Sequence, residues 1–184
     1  KAILVCTAAS NICGITMPIA EIGRFCRSEG IYFIVDGAQA GGIVDLNLKR
    51  DFIDALCLPG HKGLYGPQGS GMLILGSDPA ITTSLLPHTF IEGGNGVNSP
   101  DVAMPDFPPE RFEGGTLSVQ NIAGLHEGID FVRQTGIANL HSHESALSAR
   151  FAEKLRKSLG GRVQIYAPEH SGGILLFNII GYNS

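Results

Sequence analysis

The sequence predicts an α/β fold in which helices cover a parallel-rich sheet. Short apolar runs at 2–6 (AILVC), 31–35 (IYFIV) and 54–58 (DALCL) have the length of buried strands. A helical pattern at 17–30 separates the first two runs, and a strand, helix and strand at this interval form a right-handed unit with parallel strands. Ligands of such sheets bind at the carboxyl ends of the strands.

Each of these elements has its own local signal. The run at 2–6 is apolar throughout, which is typical of a strand buried on both faces. Pro18 suits the first turn of the following helix and Gly30 its exit, and the apolar face between them consists of Ile19, Ile22, Phe25 and Cys26. The run at 71–75 (GMLIL) predicts a fourth strand.

The second half of the chain is predicted to be mainly helical. Residues 87–113 are rich in Gly, Pro, Asn and Asp without a sustained period, and a loop of this length is usually functional. Helical patterns follow at 118–135 and at 138–159, where Gly160 and Gly161 end the second helix.

Two strands are predicted after the second helix, and they suggest a second domain. RVQIYAP at 162–168 and GGILLFNII at 172–180 are separated by a predicted turn, EHSG, at 169–172. We expect a larger domain at 1–135 and the start of a smaller α+β domain at 136–184.

Composition excludes several classes of protein. The 184 residues contain 13 basic and 17 acidic side chains, and no stretch concentrates the basic ones, so we expect no nucleic-acid partner. The longest apolar runs are far shorter than the roughly 20 residues of a membrane-spanning helix. No signal peptide can be identified. We therefore expect a soluble protein with no membrane partner.

The cysteines and histidines do not predict a metal site. Cys6, Cys13, Cys26 and Cys57 form no CxxC pair, and we interpret them as free thiols of a reducing, cytoplasmic compartment. In HSHE, His141 and His143 point to different sides of a helix, and we expect both on solvated faces.

The glycine-rich stretch GHKGLYGPQGSG at 60–71 is the strongest candidate for a functional loop. Lys62 precedes the glycines, whereas a Walker loop ends in its lysine. Gly66, Gly69 and Gly71 have the wrong order for a dinucleotide loop, and they lead into a strand. The third possible function of Lys62 is to form a Schiff base with a carbonyl cofactor. A cofactor that acts as an electron sink also needs an acid beside its ring nitrogen.

Asp36 can supply that acid, because it follows the apolar run at 31–35 and small residues surround it in VDGAQAGG. The alternative is that Asp36 caps a helix and Lys62 is a surface charge. That alternative is the better interpretation of either residue alone. The two residues together, with Gln39 close to Asp36, favour a site.

Four motifs, SNICG, VDGAQ, PGHKGLYGPQGSG and RFEGGT, resemble in order and spacing those of the class V aminotransferase superfamily of pyridoxal 5'-phosphate (PLP) enzymes. The cysteine desulfurase and selenocysteine lyase branch is the most similar. The resemblance covers nearly the whole chain and implies the second half of the large PLP-binding domain of a type I PLP enzyme at 1–135, including the loop at 87–113, and the start of its small C-terminal α+β domain at 136–184.

The resemblance implies a role for each matching residue. Lys62 is similar to the lysine that forms the Schiff base and moves the substrate proton, and Asp36 to the acid that pairs with the pyridine nitrogen. Gln39 is similar to the amide that bonds the phenolic oxygen, and Asn11 lies in the preceding strand-end loop. Gly37 and Ala38 are expected to be small so that the ring can pack there.

The phosphate contacts and the subunit arrangement are also implied by the resemblance. His61 is similar to a phosphate ligand. Thr116 is similar to a residue that reaches the phosphate of the neighbouring subunit, which implies a homodimer. Relatives often have a hydroxyl at the position of Pro59 and a histidine at that of Ala8, so this chain departs from the pattern at both.

The resemblance implies an enzyme that removes sulfur from L-cysteine to give L-alanine, with a sulfur-acceptor protein as a possible partner. The alternatives are another class V aminotransferase or lyase and a catalytically silent fragment. The family's ring-stacking histidine and main phosphate loop lie before Lys1, and its sulfur-accepting cysteine and substrate-binding arginine lie after Ser184. We therefore expect the isolated 184 residues to be inactive.

Overall fold

The computed structural model describes residues 2–78, 81, 86, 88–89, 91–94, 96, 100–166 and 172–182 of the protein. The larger sheet has four strands in the order β1 (Ile3–Thr7), β2 (Tyr32–Asp36), β3 (Ala55–Pro59) and β4 (Gly71–Leu75). All four coincide with predicted strands.

The sheet is mixed, with two parallel pairs and one antiparallel pair. β1 and β3 both run parallel to β2, as predicted, while β4 runs antiparallel to β3. The chain between β3 and β4 has no crossover helix, and it returns directly so that Pro59 pairs with Gly71. The predicted parallel-rich sheet is therefore confirmed.

The helix α1 (Ile19–Glu29) covers one face of this sheet. It ends where Gly30 adopts a left-handed conformation with φ 66°, and the amide of Ile31 donates to the Cys26 carbonyl at 2.9 Å. Cys26 packs there in one buried cluster with Phe33, Val35 and Leu56. Ile19, Ile22 and Cys26 of the predicted apolar face pack in this core, whereas Phe25 is 56% exposed, so the prediction is wrong for that residue.

The prediction that β1 is buried on both faces is wrong. Leu4 and Cys6 face the core under α1, but Ile3 and Val5, on the opposite face, are 53% and 67% exposed. Within the described residues β1 pairs only with β2, so it is an edge strand with one covered face. Its uniformly apolar sequence therefore does not reflect burial in this chain.

The second half contains two long helices and a small sheet. α2 (Val119–Thr135) and α3 (Ile137–Leu159) follow the predicted helices closely, with Gly136 between them. β5 (Val163–Ile165) and β6 (Phe177–Ile179) form an antiparallel pair and are shorter than predicted. The proposed domain boundary at 135/136 stays a prediction.

The two predicted loops are only partly described. Residues 169–171 of the predicted turn lie outside the described residues. In the 87–113 segment a short 3-10 helix spans Glu110–Phe112, while residues 87, 90, 95 and 97–99 are not among those described. No helix in the described part of the chain is long and apolar enough to cross a membrane.

α2 positions the glycine-rich loop after β3. A Cβ atom at Gly128 would collide with the Leu64 carbonyl, and one at Gly124 would lie 2.6 Å from the Pro67 ring. On the other side of the contact, a Cβ atom at Gly66 would lie 2.8 Å from Leu125. Glycines on both sides thus let the helix and the loop approach closely.

Candidate active site

Three parallel strands reach the same edge of the sheet, where β3 extends two residues beyond the ends of β1 and β2. Thr7, Asp36 and Cys57 are in register across β1, β2 and β3, which run in the same direction. The segments that follow carry the predicted site residues: Asn11 after β1, Asp36, Ala38 and Gln39 at and after β2, and His61 and Lys62 after β3. The fold therefore brings three separate sequence motifs to one edge.

Asn11 lies in a tight loop directly after β1. Ser10 orders this loop, because its hydroxyl oxygen accepts from the amides of Ile12 at 3.2 Å and Cys13 at 3.3 Å. The Ser10 amide in turn donates to the Ile15 carbonyl at 2.9 Å. Asn11 itself is exposed, so its side-chain amide is available at this edge.

Asp36 has one oriented and one open carboxylate oxygen. Its Oδ1 accepts the amide of Ala38 at 2.9 Å, which fixes the direction of the side chain. The residue is exposed, and no hydrogen bond or ion pair to its Oδ2 occurs among the described residues. A carboxylate held in this way can accept a hydrogen bond from a donor on a bound molecule.

The turn after Asp36 packs tightly against the chain after β3. Gly41 and Gly42 contact the backbone of Gly63. An added Cβ atom at any of these three positions would meet backbone or side-chain atoms. Gly37 is also buried, and its missing Cβ atom would lie 2.5 Å from Leu58. The structure therefore gives Gly37 a different role from the one expected, since packing against the sheet accounts for its small size.

Lys62 and His61 are both exposed at the start of this loop. The Lys62 carbonyl accepts the amide of Tyr65 at 2.9 Å, and Tyr65 has a positive φ of 56°. The Tyr65 ring packs edge-on against Phe131 of α2, with centroids 5.0 Å apart. These contacts hold the backbone of the loop in place. No carboxylate among the described residues forms an ion pair with Lys62, so its amine is unpaired there.

Gln39 and Thr116 occupy different surroundings. Gln39 is half-buried and lines a cavity of about 490 Å³ that α3 closes on its far side. Thr116 is exposed, two residues before Ser118 at the start of α2. Among the described residues, Thr116 makes no contact with the edge that carries Asp36 and Lys62. Its role therefore stays a prediction.

Two cysteines near this edge were not singled out by the sequence. The Ser10 hydroxyl and then the Ile15 backbone lower the pKa of Cys13. Burial, followed by the negative charge of Asp36, raises the pKa of Cys57. The position of Cys57 beside Asp36 could have been predicted from the ends of the two strands. No comparable sequence signal predicts the turn in which Ser10 lies close to Cys13.

The expectation of a solvated His141 is wrong. His143 is exposed, but His141 is half-buried and lines the cavity that Gln39 also reaches. Glu144, Leu147, Ser148 and Phe151 line the same cavity and lie with His141 on one helical face. That spacing was present in the sequence, but an apolar helical face does not show what it packs against.

Comparison with known proteins identifies the class to which this fold and site belong. The family model for class-V aminotransferases matches residues 1–184, and the chain belongs to that family. The resemblance predicted from the four motifs is confirmed.

Named relatives point to one branch of the family. A probable cysteine desulfurase of Xylella fastidiosa is 34% identical over 97% of this chain, and one of Methanothermobacter thermautotrophicus is 32% identical over 94%. The apo structure of a cysteine desulfurase from Thermococcus onnurineus superposes with a TM-score of 0.80 at 30% identity, covering 98% of the chain. CsdA of Escherichia coli, at 23% identity and TM-score 0.80, supports the fold alone.

The chain is much shorter than these proteins. It spans 42% of the length of both relatives and 44% of the Thermococcus chain. The described residues thus correspond to less than half of such an enzyme.

Proposed function

We propose that the whole protein is a PLP-dependent cysteine desulfurase, which converts L-cysteine to L-alanine and keeps the sulfur on the enzyme. The observation that carries the proposal is the convergence of the Asp36 and Lys62 segments at the carboxyl edge of parallel strands. The cysteine desulfurases similar to this chain support the choice of reaction.

The residues at this edge fit PLP. The open oxygen of Asp36 suits a protonated ring nitrogen, because the carboxylate is already oriented by the amide of Ala38. Lys62 is a free amine on an ordered loop, and His61 beside it is an exposed polar ligand. PLP would supply an electron sink for the negative charge that develops on the substrate carbon.

Each residue then has a defined task. Asp36 holds a proton on the ring nitrogen, and Gln39 and Asn11 orient the ring by hydrogen bonds. Lys62 Nζ binds the cofactor and moves the proton at the substrate α-carbon. Ala38 leaves room beside the ring, and His61 contributes to phosphate binding.

The partners follow from the same proposal. Thr116 is exposed at the start of α2 and would reach the phosphate of a second subunit in a homodimer. A sulfur-acceptor protein would take the product sulfur in the cytoplasm. The second candidate is another class V reaction, either the amino-group exchange of an aminotransferase or the bond cleavage of a lyase, since the family model covers the whole chain without choosing a reaction.

The test is carried out on the full-length protein with L-cysteine as substrate. We expect release of sulfide in the presence of a reductant, with one alanine formed for each sulfide. Lys62→Ala should abolish both the turnover and the visible absorbance of the Schiff base between Lys62 and PLP. Lys154→Ala, which removes an exposed lysine of α3, is the matched control and should leave both unchanged.

Two results would reject the proposal. Normal turnover by Lys62→Ala would show that Lys62 does not have the assigned catalytic role. Formation of pyruvate from alanine only in the presence of a 2-oxo acid, without sulfide from cysteine, would favour the aminotransferase instead.

A further inference from the structure

The cavity that Gln39 lines has the properties of a ligand site. Its volume of about 490 Å³ lies in the range of small-molecule pockets. One wall comes from Ile43 and Val44, in the segment after β2, and the opposite wall is the α3 face that begins at His141. Leu147 and Phe151 make much of the α3 wall apolar.

One unpaired carboxylate faces this cavity. Glu144 is the acid among the described lining residues, and neither lysine nor arginine lines the cavity with it. In the described part of the chain Glu144 forms no ion pair. Gly173 lies directly against it, since an added Cβ atom there would be 2.9 Å from Glu144 Oε2. Such a carboxylate favours a cationic ligand and disfavours an anion.

His141 supplies a second, independent observation. Its Nδ1 atom is buried and has no hydrogen-bond partner among the described residues. Buried polar side-chain atoms in native proteins nearly always have a partner, so the exception at His141 requires an explanation, and a ligand of this cavity would supply the missing partner. Neutral histidine can accept a hydrogen bond at this nitrogen.

The neighbouring charges do not neutralise Glu144. A second cavity, of about 940 Å³, shares His141, Ile43 and Val44 with the first and is lined by Asp45 and Arg133. Asp45 is paired with Arg50 at 2.7 Å, and Arg133 with Asp130 at 3.2 Å. Both charged groups of that second cavity thus have a partner of opposite charge, whereas Glu144 has none among the described residues.

We propose that the cavity between α3 and the segment after β2 binds a small organic cation, an ammonium or amidinium group on an apolar body. The charged group donates to Glu144 and, after a rotation of the His141 ring that exposes Nδ1 to the cavity, to this nitrogen as well, and the apolar body packs against Ile43, Leu147 and Phe151. The site shares Gln39 with the proposed PLP site, but its α3 wall has no role in the proposed desulfurase reaction.

Three probes of equal shape and different charge test this proposal: benzamidine, benzamide and benzoate. None of them reacts with cysteine or serves as an amino-acid substrate. Titrations of the full-length protein by isothermal calorimetry should show saturable binding of benzamidine, roughly ten-fold tighter than that of benzamide, because a charge-assisted hydrogen bond replaces a neutral one. Benzoate should bind more weakly than either.

The side chains are tested by conservative changes. Glu144→Gln keeps the shape of the side chain and should reduce the preference for benzamidine over benzamide to nearly nothing. His141→Leu should weaken the binding of benzamidine and benzamide alike. Glu153→Gln, which removes an exposed acid on the same helix, is the control and should bind as the wild type does.

Several results would overturn the proposal. They are the absence of saturable benzamidine binding at millimolar concentration, equal binding of benzoate, and unchanged selectivity in Glu144→Gln. The visible absorbance of bound PLP, measured on the same samples, reports the desulfurase site separately, so failure of one proposal is distinguishable from failure of the other.

Discussion

Gly42 lies against the carbonyl oxygen of Gly63, so that the turn after β2 and the loop that carries Lys62 touch backbone to backbone. Gly63 in turn faces the carbonyl of Gly41. A side chain at either position would force the two segments apart. The contact thus ties the position of Lys62 to the turn that begins at Asp36.

We predict that Gly63→Ala separates these segments and destabilises the protein by about 1–3 kcal/mol, the usual cost of overpacking. Urea unfolding measures the loss, and activity should fall further than stability because Lys62 is displaced. Gly161→Ala is the matched control, since an added Cβ atom there has nothing within 4 Å. Equal stability of the two variants would show that the backbone contact is unimportant.

Asp36→Asn should separate charge from geometry. The asparagine oxygen can still accept the amide of Ala38, so the turn and the melting temperature should be nearly unchanged. A neutral partner cannot hold the ring nitrogen protonated, and we expect kcat to fall by roughly a hundredfold or more. The same measurement on Asp106→Asn, an exposed aspartate far along the chain, provides the reference. A fully active Asp36→Asn enzyme would contradict the assigned role.

Asp51 makes stability dependent on pH. Its carboxylate is 4% exposed and accepts from Arg50 Nε at 2.8 Å, and Arg50 holds the pKa of Asp51 below its usual range. Since this pKa is lower in the folded state, the stabilisation is present above the unfolded pKa of about 3.9 and is lost as the pH falls through the folded value.

We therefore predict that Asp51→Asn lowers the free energy of unfolding at neutral pH by about 1 kcal/mol and that the difference from wild type shrinks in acid. Urea unfolding across this pH range gives both quantities. Asp130→Asn, which removes an acid from a surface pair with Arg133, should have a smaller effect. A constant difference between Asp51→Asn and wild type at all pH values would argue against the linkage.

The rate at which each cysteine is alkylated should depend on the environment of its thiol. Hydrogen bonds from Ser10 and the Ile15 backbone lower the pKa of Cys13, so more of it is thiolate at neutral pH, while burial raises the pKa of Cys26. Mass spectrometry after brief iodoacetamide treatment should find Cys13 modified early and Cys26 last. Ser10→Ala should slow the reaction at Cys13 alone, and modification of Cys26 before Cys13 would refute this order.

Local sequence signals were sufficient to predict most of the helices and strands. β2, β3 and β4 are short apolar runs bounded by turn residues, and α1 has both an apolar face and Gly30 at its exit. Asp36 and Lys62 were predictable at one edge because Asp36 ends its strand and Lys62 follows the next one, and parallel strands share the edge at which they end.

Pairing and burial could not be predicted in the same way. The direction of β4 depends on how residues 60–70 return, and the exposure of Ile3 and Val5 depends on which segments lie beside β1. The packing of Gly37 on Leu58 and the environment of His141 likewise depend on residues distant in sequence. These contacts are made across the fold, so no local window contains them.

The exposed edge of β1 has a consequence for handling the 184-residue chain by itself. Its outer N–H and C=O groups have no strand beside them within the described part, and Ile3 and Val5 add apolar surface next to that edge. Such an edge is a template for any extended polypeptide, including β1 of another copy. In concentrated preparations this chain should therefore form intermolecular sheets and precipitate, with turbidity that rises with protein concentration.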